Sequence, residues 1–342
     1  MNLFVGLDVS QQSTVLCVVN ADGHQVWQGQ CRTNPASLAA KIAQHAPNAS
    51  RIGLESGSLS TWLWHELNTL GLPIVCIDAR HAKAVLAMQI NKSDRNDALG
   101  LAQIMRTGWY REVKVKTLDS HKVRTAIGGR VQLVHMKVDI MNQMRGLLKL
   151  QGIILPVGQK IDFEQHISGD DLLVQTLRAL AKVLHSVQAA IRDLEQQIRK
   201  TAKADPDCRL LQTIPGVGPL TALTFVTTID DPTRFSRSRS VGAYLGLTPK
   251  RYQSGDMDYT GRISRCGDGL LRGYLYEAAN ALLTRVVRFS TLKAWAVRIA
   301  QRHGGKKARV AIARKLSVIM HRMLITREPF RWNTTTSAAN AA

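Results

Sequence analysis

Four carboxylates and one serine are the residues of this chain whose types and spacing could do chemistry, and the carboxylates come first. Asp8 closes the apolar run LFVGL and Glu55 closes RIGL, short runs of the kind that form buried strands. Asp94 and Asp97 stand close together in NKSDRNDALGLAQ, at the mouth of a helical stretch, where their spacing puts both on one helix face. Two strand ends and one helix can bring all four to a point. Bare carboxylates gathered there would repel one another, and divalent cations would neutralise them. Mg²⁺ (or Mn²⁺) suits such a set, because it takes a few carboxylates and fills its shell with water and phosphate oxygens. Any one of these acids could equally be a helix cap or a strand-end residue. It is the four together, in a chain with an excess of base, that point to chemistry.

That excess is large. The 342 residues carry a formal net charge of +21, which calls for a polyanionic partner and favours nucleic acid over a membrane surface or an acidic protein. The N-terminus lacks a basic leader and places Asp8 inside its apolar run, so no signal peptide is expected. No uncharged apolar stretch is long enough to span a bilayer, and a cytoplasmic location follows as the expectation. Cys17, Cys31, Cys76, Cys208 and Cys266 form neither a close pair nor a metal-ligand pattern and read as reduced thiols.

The elements that must position the acids fall into four stretches. Residues 1–118 read as an α/β domain. LFVGLDVS, STVLCVVN and HQVWQGQ are consecutive strands, the last two joined by an Asp22-Gly23 turn. A helix from about residue 35 to 44, the strand RIGLE, a helix over 60–70, the strand LPIVCID and a helix from about 95 to 106 follow. This order resembles the ribonuclease H-like (RuvC-like) fold, in which acids lie on the first strand, the fourth strand and a late helix. Residues 119–205 read as a helical coiled-coil hairpin. One helix covers 121–151, with apolar Ile127, Val131, Val134, Val138 and Met141; after a polar connection a second carries Leu173, Leu177, Leu180, Leu184, Val187, Ile191, Leu194 and Ile198. The alternating four- and three-residue steps of the second form a heptad seam. It can pair within the chain or join subunits, and a homo-oligomer (dimer or tetramer) through residues 121–200 is the expectation.

Residues 206–332 read as a mainly helical domain, with 333–342 as a disordered tail. LLQTIPGVGPLTALTFV resembles a helix-hairpin-helix unit, in which the turn containing Gly216 and Gly218 can aim backbone N–H groups at a phosphate. Residues 285–331 hold thirteen Lys and Arg against one acid, Glu328. Interleaved with apolar positions, these cations, including Lys306, Lys307, Arg309, Arg314 and Lys315, read as a basic amphipathic helix lying on a phosphate backbone.

On these features alone, the acids would mean a metal-dependent nuclease. The string GAYLGLTPKRYQSGDMDYTGRISRCGDGLLRGYLYEAA, however, resembles the second domain of the DEDD transposases of the IS110 family. The spacing of Asp8, Glu55, Asp94 and Asp97 resembles the family's RuvC-like first domain, an architecture shared with Piv-type DNA invertases. The resemblance runs over about residues 3–325. It implies a DNA transposase that excises and inserts its own element, acting on double-stranded donor and target DNA selected by a structured bridge RNA. It also implies an essential serine in a Ser-Gly motif following Gly-Leu-x-Pro. Here Gly246-Leu247-Thr248-Pro249 leads to Ser254-Gly255, which assigns Ser254 as the nucleophile of a covalent phosphoserine intermediate. Many relatives carry a second glycine where this chain has Asp256. Lys250 and Arg251 beside the serine, with Arg262, Arg265 and Arg272 beyond it, are candidate phosphate contacts. A Holliday-junction-resolvase-like nuclease would keep the acids and have no need of Ser254. A purely architectural nucleic-acid-binding protein would need neither.

Overall fold

The computed structural model describes residues 2–87, 91–156, 163, 165, 168–169 and 171–332. The expected tail, 333–342, lies outside these. The chain forms two compact units, Met1–Lys116 and Thr117–Ala342.

In the first unit the elements run β1 (Leu3–Val9), β2 (Ser13–Val19), β3 (Gln25–Arg32), α1 (Pro35–His45), β4 (Ala49–Glu55), α2 (Ser60–Thr69), β5 (Ile74–Ile77), α3 (Ala79–Leu86) and α4 (Asp94–Thr107). The five strands form one mixed sheet in the order β3-β2-β1-β4-β5. β1, β2 and β3 pair antiparallel, while β4 and β5 continue parallel to β1. Gly23 sits at φ +88° in the β2–β3 turn, a conformation that suits glycine. Because side chains alternate along a strand, each face of the sheet builds its own core. Val5, Leu7, Ile52 and Leu54 pack with Leu38, Leu63 and Leu67 of α1 and α2. On the other face Phe4, Val15 and Cys17 pack with Ala98, Leu101, Ala102 and Met105 of α4. The short α3 was not foreseen in the sequence. Its Asp78 N-cap accepts from the Arg80 backbone N–H at 2.9 Å.

The second unit begins with the long helices α5 (Leu118–Leu148) and α6 (Leu172–Ala204), which pack against each other. The heptad seam of α6 is filled within the chain: Leu177, Leu184, Val187, Ile191 and Ile198 are buried, and Met144 and Leu148 of α5 join the outer end of the contact. Near the inner end Arg130 Nη2 reaches Glu195 Oε1 at 2.5 Å. The middle of α5 is less covered, and Met136 and Val138 remain exposed, as does Val183 of α6.

Then come α7 (Pro206–Leu211), α8 (Pro219–Ile229), a 3-10 turn at Pro232–Arg234, α9 (Arg239–Tyr244), strands β6 (Pro249–Ser254) and β7 (Met257–Ile263), and helices α10 (Gly269–Thr284), α11 (Thr291–His303) and α12 (Gly305–Thr326). One expectation is corrected here. The basic C-terminal stretch is not one helix but two, broken at Gly304, whose φ of +79° a side-chain-bearing residue would resist. α12 is amphipathic: Ile312, Leu316, Met320 and Leu324 lie in the main core of the unit, while Lys306, Lys307, Arg314 and Lys315 are exposed. Among its helices the unit also carries an antiparallel β-hairpin, β6–β7, that the sequence did not announce.

Candidate active site and nucleic-acid surface

The four acids are brought together by the tight seating of α4 on the sheet. Gly6 and Asp8 point to the same face of β1, and Gly53 and Glu55 to the same face of β4. A Cβ on Gly6 would overlap the Ala98 carbonyl oxygen and the Ala102 amide, and one on Gly53 would meet the Met105 side chain at 2.6 Å. Glycine at both positions therefore lets the α4 backbone settle onto the strands just below the two strand-end carboxylates. On α4, Asp94 and Asp97 occupy the first turn, one turn before Ala98 and Leu101, which face the sheet. Ser93 caps this helix by accepting from Asn96 N–H at 3.2 Å, and Gln28 of β3 donates to the Arg95 carbonyl at 2.7 Å. The acidic turn is thus fixed at its start, where the helix dipole also favours negative charge.

The electrostatics record this convergence. Burial raises the Asp8 carboxyl to about 6, and the charges of Asp94, Asp97 and Glu55 push in the same direction. Glu55 is raised too, first by burial and then by Asp97. Lys92 partly offsets both. Lys92 is a contributor that sequence reading missed, although it stands in the same NKSDRND string. Asp8 and Glu55 open onto a cleft of about 500 Å³ that also presents Ser10, Gln11 and Ser58. Among the described residues, no three His, Cys, Asp or Glu side chains form a group that could hold a metal ion. An all-oxygen, mutually repelling, part-buried set of this kind has the donor chemistry of a hard cation that keeps water and substrate oxygens in its shell, not of a closed protein cage. Asp8, Glu55, Asp94 and Asp97 match Mg²⁺ or Mn²⁺ in donor chemistry alone.

Ser254 lies in the second unit at the tip of the β6–β7 hairpin. It pairs with Met257 across a two-residue turn, Gly255-Asp256, with Gly255 at φ +53°. Both strands are exposed over most of their length. Tyr252 and Tyr259 stack at 4.9 Å, and Arg251 grips Asp258 through Nε–Oδ1 at 2.9 Å and Nη2–Oδ2 at 2.5 Å. That pairing holds the Asp258 carboxyl below its usual range and engages Arg251, one of the expected phosphate contacts. The root of the hairpin is locked by close backbone approaches. A Cβ on Gly246 (φ +67°) would overlap the Cys266 backbone, and Ser264 N–H donates to the Thr248 carbonyl at 2.8 Å. The Gly-Leu-Thr-Pro string is thus the hinge point from which the serine projects. Ser254, Lys250, Arg262 and Arg265 are all exposed.

Other expected contacts stand differently. Arg272 Nη1 donates to the Cys266 carbonyl at 2.8 Å and to those of Leu245 and Gly267 at 3.2 Å, so this guanidinium anchors the hairpin root and is not a free phosphate clamp. Arg309 donates to Asn280 Oδ1 at 2.8 Å and is half-buried. Lys306, Lys307, Arg314 and Lys315 are exposed. Gly216 makes the expected turn at φ +87°, and a Cβ there would meet the Ala278 carbonyl at 2.7 Å, so packing against α10 accounts for this glycine. Gly218 is the N-cap of α8.

An acidic centre at the ends of two adjacent strands and the start of a helix is joined in one chain to a basic, largely helical unit. A family model described as "Transposase", of the IS110 DEDD type, matches residues 5–152, and one described as "Transposase IS116/IS110/IS902 family" matches residues 208–294. The chain is 29% identical to the transposase for insertion sequence element IS1111A of Coxiella burnetii, over 96% of this chain and 91% of that one. It is 26% identical to a probable family 20 transposase of Pseudomonas aeruginosa, over 95% and 97%. A pilin gene-inverting protein of Moraxella lacunata is 29% identical over 41% of this chain and 45% of its own length. The chain belongs to the IS110 family of transposases and is an enzyme of DNA recombination. Among the described residues, no helix is long and apolar enough to cross a membrane.

Proposed function

We propose that the protein excises and inserts an insertion sequence by serine attack on DNA phosphodiesters, assisted by a divalent cation at the four acids. The observation that carries this reading is the convergence of Asp8, Glu55, Asp94 and Asp97, reflected in the Asp8 carboxyl, which burial and then the other three acids raise, and in the Glu55 carboxyl, which burial and then Asp97 raise. The strand order β3-β2-β1-β4-β5, with acids on β1, β4 and a late helix, supports a ribonuclease H-like assignment for the first unit. A cation bound there supplies Lewis-acid polarisation of a scissile phosphate.

Ser254 presents its hydroxyl at an exposed tip, free of the steric cover that would keep a phosphodiester away. As the Oγ–P bond forms, the P–O bond to the departing deoxyribose breaks. The serine gives up one proton and the departing oxygen gains one. One phosphate ester replaces another, so bond energy is conserved and a second deoxyribose hydroxyl can reverse the step without an external energy source. The acids and Ser254 belong to different units, and the mechanism requires both to act on the same phosphodiester. A homo-oligomer could supply that from two copies, and the exposed Met136, Val138 and Val183 on the hairpin offer apolar surface for the association.

The family resemblance implies a bridge RNA that selects donor and target duplexes, and the +21 net charge supports a large nucleic-acid load. The pilin gene-inverting relative favours a second arrangement of the same chemistry, inversion of a segment in place of its transfer. Strand cleavage assays on DNA carrying the element ends separate these readings from a metal-only nuclease. Under the serine reading Ser254→Ala and Asp8→Asn both abolish cleavage, whereas a nuclease would tolerate Ser254→Ala. An architectural protein would lose no activity with either.

A further inference from the structure

Three cavities of the second unit adjoin one another along α12. The first, about 570 Å³, lies between α11, α12 and the segment that follows; Trp295, Ile319 and Phe330 give it apolar walls. The second, about 510 Å³, shares Trp295 and Lys315 with the first. The third, about 300 Å³, shares Leu247, Ile263 and Val310 with the second. Through these shared residues the three cavities adjoin, and together they are called the trough. The middle cavity is walled by Pro249 and Ile263, the paired residues at the root of the hairpin that carries Ser254, and the third continues past them to Arg265, Arg272 and Tyr276.

The lining has a particular chemistry. Its floor is aliphatic and aromatic, with Trp295 and Phe330 both part-exposed. Its edges are cationic, and Lys315, Arg322, Arg314 and Lys307 are all exposed. Glu328 is the one carboxylate among the lining residues, and Arg331 neutralises it at 3.1 Å. A duplex keeps its bases stacked inside and offers a protein surface mainly phosphates, so it leaves an apolar floor unused. An unpaired strand offers both a charged backbone and free base faces, and a cationic groove with aromatic platforms is the surface that binds it. The helical rise from Val310 to Thr326 spans about 24 Å, the length of roughly seven stacked nucleotides at about 3.4 Å each.

We propose that this trough binds a single strand of DNA and leads it to the root of the Ser254 hairpin. The choice of DNA follows from the family, whose substrate is DNA. The trough's direction toward Ser254 gives it a purpose under the serine reading: a strand parted from its duplex is held while its phosphate is at the hairpin. Binding itself rests on the groove alone.

The test is fluorescence anisotropy of the full-length protein with labelled dT8, an eight-nucleotide oligo-uridine and a mixed-sequence duplex, in EDTA so that no cleavage occurs. Trp295→Leu keeps an apolar side chain in the floor and removes the stacking platform; Lys315→Gln with Arg322→Gln changes only exposed edge residues and keeps the proposal testable if the first variant is poorly folded. Each is expected to weaken dT8 about tenfold while duplex affinity changes less than about twofold, and an iodouracil-labelled oligo is expected to crosslink to the peptide holding Trp295. Ser254→Ala is expected to bind dT8 as the parent does, so a failed serine mechanism would leave this result standing. Unchanged dT8 affinity in both variants, equal losses for dT8 and duplex, or a clear preference for oligo-uridine over dT8 would overturn the proposal, the last of these in favour of an RNA site.

Discussion

Replacing Asp8 with Asn should make the cation-free protein more stable, because the acid is held where its charge is unwelcome. The Asp8 carboxyl rises from an ordinary 3.8 to about 6, through burial first and then through Asp94, Asp97 and Glu55. A displacement of that size corresponds to about 3 kcal/mol. Asp8 is only half-buried, and solvent screening reduces the usable part to roughly 1–2 kcal/mol. The folded state holds this proton more tightly than the unfolded state, so stability rises as pH falls through about 6 and stops rising below about 4. Asp8→Asn is charge-free throughout. In EDTA at pH 7 it should therefore exceed the parent by about 1–2 kcal/mol, and the difference should close on acidification toward pH 4. Amide hydrogen exchange on peptides covering β1 and β4 reads the first unit separately from the second, which global melting would not. Adding Mg²⁺ should slow exchange in the parent and do so far less in the variant. A variant no more stable than the parent, or a difference that ignores pH, would refute the claim that the acids face one another.

Three further outcomes follow from named contacts. Gly6→Ala forces a methyl into the α4 backbone at Ala98 and Ala102; it should cost about 1–3 kcal/mol and blunt the Mg²⁺ response, measured by the same exchange experiment. Arg124 bonds Thr228 Oγ1 at 2.7 Å and forms an ion pair with the α10 cap Asp268, both partners being largely buried; Arg124→Ala should lower the stability of the second unit by about 2–4 kcal/mol, read by urea titration. Leu184→Ala opens the α5–α6 contact and should cost about 2–4 kcal/mol, visible as faster exchange in α6 with the first unit unchanged.

Much of the first unit could be read in advance because its strands are continuous apolar runs and its acids sit where those runs stop. LFVGL and RIGL give both the strand and the position of the carboxylate. The reason the acids meet was less accessible. It lies in Gly6 and Gly53, which in a sequence are merely small residues within strands and in three dimensions set the depth of α4. The β6–β7 hairpin escaped because exposed strands bury nothing and so show no apolar alternation; the Ser-Gly-Asp-Met turn was its remaining signal. The C-terminal cations were merged into one helix because charge continues across Gly304 while the backbone does not. Arg272 illustrates a further limit: one guanidinium serves a phosphate or three carbonyls equally well, and composition cannot say which. The heptad seam of α6 named its own residues correctly but not their partner, which is α5 of the same chain.

The central claim is that Ser254 makes the bond while the four acids hold the cation. The direct measurement is peptide mapping by mass spectrometry of protein trapped on DNA containing the element ends, with Mg²⁺ present. The account predicts a phosphodeoxyribose adduct on the peptide spanning Arg251–Arg262, localised to Ser254, absent from Ser254→Ala and from Asp8→Asn. Strand cleavage that proceeds with no protein-linked DNA, or an adduct on another residue, would contradict it.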